Sequence, residues 1–151
     1  MKCLVTGGAG FIGSNLVDAL VKQGHRLEII DNLLTGKKEN LNKKAKFHKL
    51  DIRNLKAIKP LFKNIDWVFH LAAFPRVQPS IEDPVTSNDI NLNGTLNVLM
   101  AARDAKVKRF VYSASSSAYG NQTSMPLKEN IRMHCCFFVL VISMKHLGKM
   151  L

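Results

Sequence analysis

The chain has 151 residues, of which 46% are hydrophobic and 22% charged, and its formal net charge is +11. This length suits one globular domain with a sizeable core. With no apolar run of about 18 residues and no secretory signal, we expect a cytoplasmic protein and no membrane partner.

Positive charge is concentrated in six lysines within residues 37–49. A polyanion-binding patch is one interpretation. Only Phe47 interleaves with these lysines, so we favour a solvated loop and edge strand, and we predict no nucleic-acid partner. The cysteines, Cys3, Cys135 and Cys136, lack C-x-x-C spacing, and we predict no metal site.

A glycine-rich turn joins a first predicted strand, residues 2–5, to a helix that runs up to Gly24. Its glycines fit both G-x-G-x-x-G, through Gly8, Gly10 and Gly13, and G-x-x-G-x-x-G, through Gly7, Gly10 and Gly13. Such a turn lets backbone N–H groups approach a phosphate, and the helix N-terminus adds partial positive charge. We therefore predict a dinucleotide pyrophosphate site, with a turn that serves only packing as the alternative.

A second predicted strand, residues 26–31, ends in Asp31, 18 residues after Gly13. A carboxylate at about this interval accepts hydrogen bonds from the adenosine ribose and repels a 2′-phosphate, which favours NAD over NADP. The alternative is an aspartate that only caps a turn.

A third strand is predicted at residues 47–51, with Asp51 and Ile52 at its carboxyl end, where ligands of parallel sheets gather. An adenine contact is the functional interpretation. The competing role for Asp51 is the N-cap of a helix marked by apolar residues from Leu55 to Phe62.

The apolar run at residues 66–71 predicts a central strand buried on both faces. Ala72 and Ala73 follow it and would let a flat cofactor pass close to the backbone, although they would equally serve packing. His70 lies inside the run, so we predict a satisfied core histidine rather than a catalyst. Residues 74–83 are predicted to be a polar substrate loop.

Pro84 opens a long predicted helix that runs to about residue 105. Gly94 in its middle suggests the close approach of another backbone. We expect at least one of its asparagines to bond a strand or the cofactor pocket, since asparagine is a poor helix former; these are Asn88, Asn91, Asn93 and Asn97.

A fifth strand is predicted at residues 109–113, followed by a serine-rich stretch. Strands and helices that alternate at these intervals predict an α/β, Rossmann-like, doubly wound parallel sheet with strand order 3-2-1-4-5.

Six ordered motifs together resemble the extended short-chain dehydrogenases, and among them the NAD-dependent nucleotide-sugar epimerases and dehydratases. The similarity is greatest to 4-epimerases of UDP-hexoses or UDP-N-acetylhexosamines and covers roughly residues 2–130. The motifs are Thr6 to Gly13, Asp31-Asn32 with Thr35-Gly36, Asp51-Ile52, His70 to Ala73, Asn91-x-x-Gly94-Thr95, and Ser115 to Gly120.

The resemblance implies NAD as cofactor, a UDP-sugar as substrate, and Ser115 as the catalytic serine that hydrogen-bonds the reacting oxygen. It also implies a homodimer built on long helices, but one of these helices is missing here, which argues against the dimer. The implied NAD-binding residues are Gly7, Gly10, Phe11, Ile12, Asp31, Asn32, Asp51, Ile52, Ala72, Ala73 and Asn91.

The sequence departs from this family at the catalytic tyrosine and lysine. Neither Tyr112 nor Tyr119 begins a Y-x-x-x-K motif, and residues 138–143, where the pair is expected, hold no base. Without the lysine a tyrosine with a pKa near 10 is a poor base. We therefore expect this chain to be inactive.

Two other functions stay open beside the epimerase. A dehydratase shares the cofactor site, although Ser116 and Ser117 stand where dehydratases usually place acidic residues. The other is a non-catalytic dinucleotide-binding module.

Composition changes after residue 130. We interpret residues 1–130 as the NAD-binding domain and 131–151 as an atypical hydrophobic tail from a shifted reading frame. On this interpretation the C-terminal part of the fold is truncated and the substrate lobe is absent. A buried sixth strand within the tail is the alternative.

Overall fold

The computed structural model describes residues 1–75, 77–114 and 139–143, and its strands form one sheet in the order β3-β2-β1-β4-β5-β6. The first five strands are mutually parallel, whereas β6 pairs antiparallel with β5. The predicted doubly wound order 3-2-1-4-5 is therefore confirmed. The strands are β1 (Lys2–Thr6), β2 (Arg26–Asp31), β3 (Lys46–Lys49), β4 (Trp67–His70), β5 (Arg109–Ser113) and β6 (Val139–Ser143).

Helices connect the parallel strands. A π-helical segment, Asp89–Gly94, joins α4 to α5, and the helical backbone is continuous through both junctions. Residues 84–104 are called the long helix below. The α-helices are α1 (Phe11–Lys22), α2 (Leu55–Ile58), α3 (Val77–Glu82), α4 (Pro84–Asn88) and α5 (Thr95–Asp104), and 3-10 turns lie at Lys38–Asn40 and Lys59–Phe62.

The two faces of the sheet bury separate cores, because successive strand residues point to opposite faces. On one face Leu4 and Val68 belong to the core that the long helix covers. On the other, Cys3 and Val5 pack with Val17 of α1. Burial on both faces explains why the central strands read as nearly continuous apolar runs.

The helix after β3 begins later than the sequence pattern indicates. The N-cap of α2 is Asn54, whose side chain accepts a hydrogen bond from the Ala57 N–H at 3.1 Å. The N-cap role considered for Asp51 is therefore wrong. Asp51 instead accepts from the backbone N–H of Arg53, two residues on, in a turn that precedes the helix.

Part of the predicted loop at residues 74–83 is helical, so that prediction is wrong for α3. Pro79 is compatible with a helix there because the N–H groups of a first turn have no intrahelical acceptor. Asp83 then caps α4 by accepting from the Thr86 N–H at 3.0 Å, and Pro84 opens the helix as predicted.

The hydrophobic tail contains β6, so the alternative of a sixth strand is confirmed for its backbone. The origin of residues 131–151 in a shifted reading frame stays a prediction. Within the part of the chain that the structure describes, no helix is long and apolar enough to cross a membrane.

Candidate functional site

A cavity of about 330 Å³ opens at the carboxyl ends of the parallel strands. Its volume lies at the lower end of the range for small-molecule sites. Ten of the eleven residues predicted to bind NAD line it. These are Gly7, Gly10, Phe11, Ile12, Asp31, Asn32, Asp51, Ile52, Ala72 and Ala73.

The glycine turn is packed too closely against other backbone for side chains at two positions. A Cβ atom on Gly13 would lie 2.1 Å from the carbonyl oxygen of Gly7, and one on Gly7, whose φ is +74°, would lie 2.7 Å from the Ala72 nitrogen. The N-cap of α1 is Gly10, which has no side chain to occupy the helix end. Phe11, Ile12 and Gly13 line the cavity, and the N–H groups of a first helical turn have no intrahelical acceptor, an arrangement that fits an anionic pyrophosphate.

Asp31 lies at the end of β2 and is 8% exposed. Its Oδ2 accepts from the Ala9 N–H at 3.0 Å, and its Oδ1 accepts from the Leu33 N–H at 2.8 Å. The turn-capping role is thus present. It leaves acceptor capacity for ribose hydroxyls, since each carboxylate oxygen offers two lone pairs.

Asp51 and Arg53 form a chelated ion pair on the turn after β3. Both guanidinium contacts are short, Nε to Oδ1 at 3.0 Å and Nη2 to Oδ2 at 2.9 Å, and Asn32 Nδ2 also donates to Oδ2 at 3.0 Å. The hydrogen bonds from Arg53 hold the pKa of Asp51 down at about 2. The carboxyl group of Asp51 is therefore ionised at neutral pH, and Arg53 balances its charge.

His70 is fully buried beneath the wall that Ala72 forms. Its Nδ1 lies 2.6 Å from Thr6 Oγ1 and its Nε2 lies 2.9 Å from Thr95 Oγ1, while Thr6 Oγ1 also accepts from the Ala72 N–H. Burial lowers the pKa of His70 to about 4. The predicted satisfied core histidine is confirmed, and the imidazole is neutral at pH 7.

Two asparagines of the long helix bond the walls of the cavity, as predicted. Asn91 lies behind the wall, where its Oδ1 accepts from the Phe74 N–H at 2.8 Å and its Nδ2 donates to the Phe74 carbonyl at 3.2 Å. Asn97 Nδ2 donates to the carbonyls of Ile52 and Arg53. The close approach expected at Gly94 exists, but its partner is the Ile52 side chain rather than a backbone.

The catalytic candidate Ser115 lies outside the described residues. Ser113, at the end of β5, lines the cavity and brings the chain to this edge of the sheet. Among residues 1–75 and 77–114, no three His, Cys, Asp or Glu side chains lie close enough together to hold a metal ion.

Sequence reasoning missed several residues that build the site. The loop after β2 is bound to the glycine turn because the Lys37 N–H and Asn40 Nδ2 both donate to the Ala9 carbonyl, at 3.1 and 2.9 Å. Arg53 and the threonines beside His70 were also missed. A cation two residues after Asp51 is a local signal, whereas the threonine contacts join residues far apart in sequence.

Comparison with known proteins gives one consistent result. Residues 3–135 match the model of the NAD dependent epimerase/dehydratase family. The UDP-glucose 4-epimerase of Lactobacillus helveticus is 39% identical over 132 residues, which are 86% of this chain and 40% of that protein. The chain therefore spans about two fifths of the length of that curated relative.

Two solved structures share the fold. The Thermotoga maritima UDP-glucose 4-epimerase with UDP-glucose is 36% identical and superimposes with a TM-score of 0.82 over 99% of this chain and 48% of its own. The Thermus thermophilus UDP-glucose 4-epimerase complex with NAD is 43% identical, with a TM-score of 0.68 over 72% of this chain and 35% of its own.

Proposed function

This chain belongs to the NAD-dependent epimerase/dehydratase family, and we propose that residues 1–130 are the NAD-binding part of a nucleotide-sugar 4-epimerase that acts on a UDP-hexose. One observation carries the proposal. Ten residues predicted from sequence to bind NAD line a single cavity around the glycine turn, although they come from four separate stretches of chain. The named relatives support the UDP-sugar.

In this proposal the glycine turn and α1 bind the pyrophosphate. The backbone N–H groups at the start of α1 donate to its oxygens, and the partial positive charge of the helix end stabilises them. Asp31 accepts hydrogen bonds from the adenosine ribose. Its carboxylate lies where a 2′-phosphate would be repelled, which selects NAD over NADP.

The other end of the cavity would receive the nicotinamide. Ala72 and Ala73 present little side-chain bulk there, and Asn91 holds the backbone of Phe74 behind them. Bound NAD would supply a reversible hydride acceptor. Ser115 would hydrogen-bond the reacting sugar oxygen and stabilise charge that develops on it.

The sequence lacks the tyrosine and lysine pair that would remove the proton from the sugar hydroxyl. Y-x-x-x-K does not occur among the 151 residues. We infer that this chain binds NAD without turning over a UDP-sugar, and this sequence observation favours a second candidate function, a non-catalytic NAD-binding module. The domain boundary at residue 130 stays a proposal, and the family match, which ends at residue 135, runs five residues past it.

Calorimetric titration of the 151-residue chain with NAD and NADP tests the cofactor. We expect NAD to bind more tightly than NADP, and Asp31→Ala to weaken NAD binding far more than Ser115→Ala, because only Asp31 would contact the cofactor. Equal losses in the two variants would contradict the assignment of sites. No binding of NAD at all would overturn the proposal.

Resequencing the encoding DNA across codons 125–150 separates the two candidates. A frame containing Y-x-x-x-K would support the epimerase, and its restoration should give UDP-glucose epimerisation. A confirmed frame without the motif would leave the binding module.

A further inference from the structure

The turn after β3, residues 51–54, forms the adenine end of the cavity if NAD binds as proposed. Asp31 marks the position of the adenosine ribose, and the base attached to that ribose lies next to it in the same cavity. Asp51 and Ile52 line the wall there, together with Leu50. The position of this turn therefore decides how the base is recognised.

The turn is held from behind by one side chain of the long helix. Asn97 Nδ2 donates to the Ile52 carbonyl at 3.1 Å and to the Arg53 carbonyl at 2.8 Å. One amide group thus hydrogen-bonds two consecutive peptide carbonyls, which fixes the position and the orientation of the turn relative to the helix. Asn97 itself does not line the cavity.

A second contact joins the same two elements. A Cβ atom on Gly94 would lie 2.6 Å from Cδ1 and 2.7 Å from Cγ1 of Ile52. The Ile52 side chain therefore occupies the space that any other residue at position 94 would fill. Gly94 ends the π-helical segment, and such segments are frequent at functional sites.

A third contact is electrostatic. Arg53 chelates Asp51 and reaches Asp89 of the long helix through Nη1 at 3.4 Å. The carboxylate of Asp51 is thus oriented through Arg53, whose backbone Asn97 holds. All three contacts start from the long helix and end on the turn.

We propose that Asn97 is a positioning residue for adenine recognition, which it serves by holding the turn that presents Asp51 and Ile52 to the base. This inference rests on the proposed binding of NAD. The chemistry recognised is an exocyclic amino group, which would share Oδ2 of Asp51 with the Asn32 Nδ2 donor, whereas the carboxylate would repel a carbonyl oxygen at the same position. Hypoxanthine carries that carbonyl in place of the amino group of adenine.

The test compares two dinucleotides on the whole 151-residue chain. NAD and nicotinamide hypoxanthine dinucleotide differ only in the base, so the ratio of their dissociation constants measures adenine recognition. Asn97→Ala should raise the dissociation constant for NAD about five- to thirty-fold, the factor for one or two lost hydrogen bonds. The constant for the hypoxanthine analogue should change much less, so the ratio falls.

The matched control is Asn42→Ala, which removes an asparagine that bonds Asp18 in an exposed loop. Its ratio should equal that of the unaltered chain. Asn97→Ala should also retain the fold, since alanine is the best helix former. Thermal unfolding of each variant checks this.

Gly94→Ala gives a second, independent measurement. The added methyl group would displace the Ile52 side chain, although alanine itself favours the helix over glycine by about five-fold. We expect a lower NAD-to-analogue preference here too. A structural effect alone would leave that preference unchanged.

Each outcome is decisive. A lower preference in both variants, with the control unchanged, supports the inference. Equal weakening of both dinucleotides, or no change in either, overturns it while NAD binding by the unaltered chain keeps the proposed function. An unaltered chain that binds neither dinucleotide overturns the proposed function and this inference with it.

Discussion

Beside β3 the cavity is held by a partly exposed ion pair, whereas beside β4 it is held by buried, neutral hydrogen bonds. The Arg53 side chain is 38% exposed, and the carboxylate that it holds has a pKa of about 2. His70 is fully buried and has a pKa of about 4. The β3 end of the cavity is therefore held by charges that solvent can screen, whereas the β4 end is held by neutral groups that are buried from solvent.

This difference separates the conditions that weaken each end. Both pKa values are lower in the folded chain than in the unfolded one, so each group favours the folded state above its unfolded pKa and loses that contribution as pH falls. For His70 the loss falls between pH 6.5 and about 4. For Asp51 it falls between pH 3.8 and about 2.

The largest expected effect comes from breaking the turn that both ends share. In Gly13→Ala the new methyl group would lie against the Gly7 carbonyl and the Gly8 Cα, neither of which can rotate away. We expect a loss of about 3 kcal/mol of stability and of NAD binding. Urea unfolding and calorimetry measure the two.

Gly24→Ala is the control for that glycine. Its φ is +81°, but nothing lies within 4 Å of an added Cβ. It should cost about 1 kcal/mol of strain and leave NAD affinity unchanged. Equal loss of binding in the two variants would show that the crowding at Gly13 is not what matters.

The next effect is the acid response of the β4 end. Between pH 6.5 and 4 the free energy of unfolding should fall by up to about 3 kcal/mol because the unfolded histidine gains a proton that buried His70 does not. His70→Gln should flatten this slope in urea titrations. Asp51→Asn should leave it in place, and a flattened slope in that variant would contradict the separation of the two windows.

A smaller loss is expected from Thr6→Val. The substitution keeps the shape but removes the hydroxyl that contacts His70 Nδ1 and accepts from the Ala72 N–H. An unpaired buried polar group costs about 1 to 3 kcal/mol. The loss should persist in 1 M salt, because no charge is involved, and a salt-sensitive loss would argue against the neutral network.

The smallest change in stability is expected for Arg53→Ala, below about 1 kcal/mol, since partly exposed ion pairs contribute little. The loss of stability in Arg53→Ala should be smaller still in 1 M salt, because salt screens the ion pair. Chemical unfolding at low and high salt measures this. A loss as large as that of Thr6→Val would mean that the two ends are not held differently.

Much of this arrangement follows from sequence because its signals are local. The glycine turn, Asp31 after β2 and the apolar runs of β4 and β5 each combine a short pattern with a strand end, and the sheet order follows from their alternation. The prediction for the N-cap of α2 was wrong because Asp51 and Asn54 are both good caps. The prediction of a loop at α3 was wrong because prolines are common both at helix starts and in loops.

The contacts that hold the site were not predictable in the same way. Asn97 and Ile52 are 45 residues apart, and His70 and Thr6 are 64 apart. Pattern reasoning indicated that the asparagines and Gly94 would contact something, but not what. The roles of the NAD-binding residues and of Ser115, a cytoplasmic location and the exclusion of nucleic acid stay predictions.

The position of β1 also matters while the chain is being made. This strand lies in the middle of the sheet between β2 and β4, yet it precedes both in the chain. Its pairing with β4 needs residues 67–70. At a synthesis rate of about 5 to 20 residues per second, those residues follow β1 by roughly 3 to 13 seconds. During that interval the edge of β1 that pairs with β4 has no partner strand, although Cys3, Leu4 and Val5 are fully buried in the finished fold.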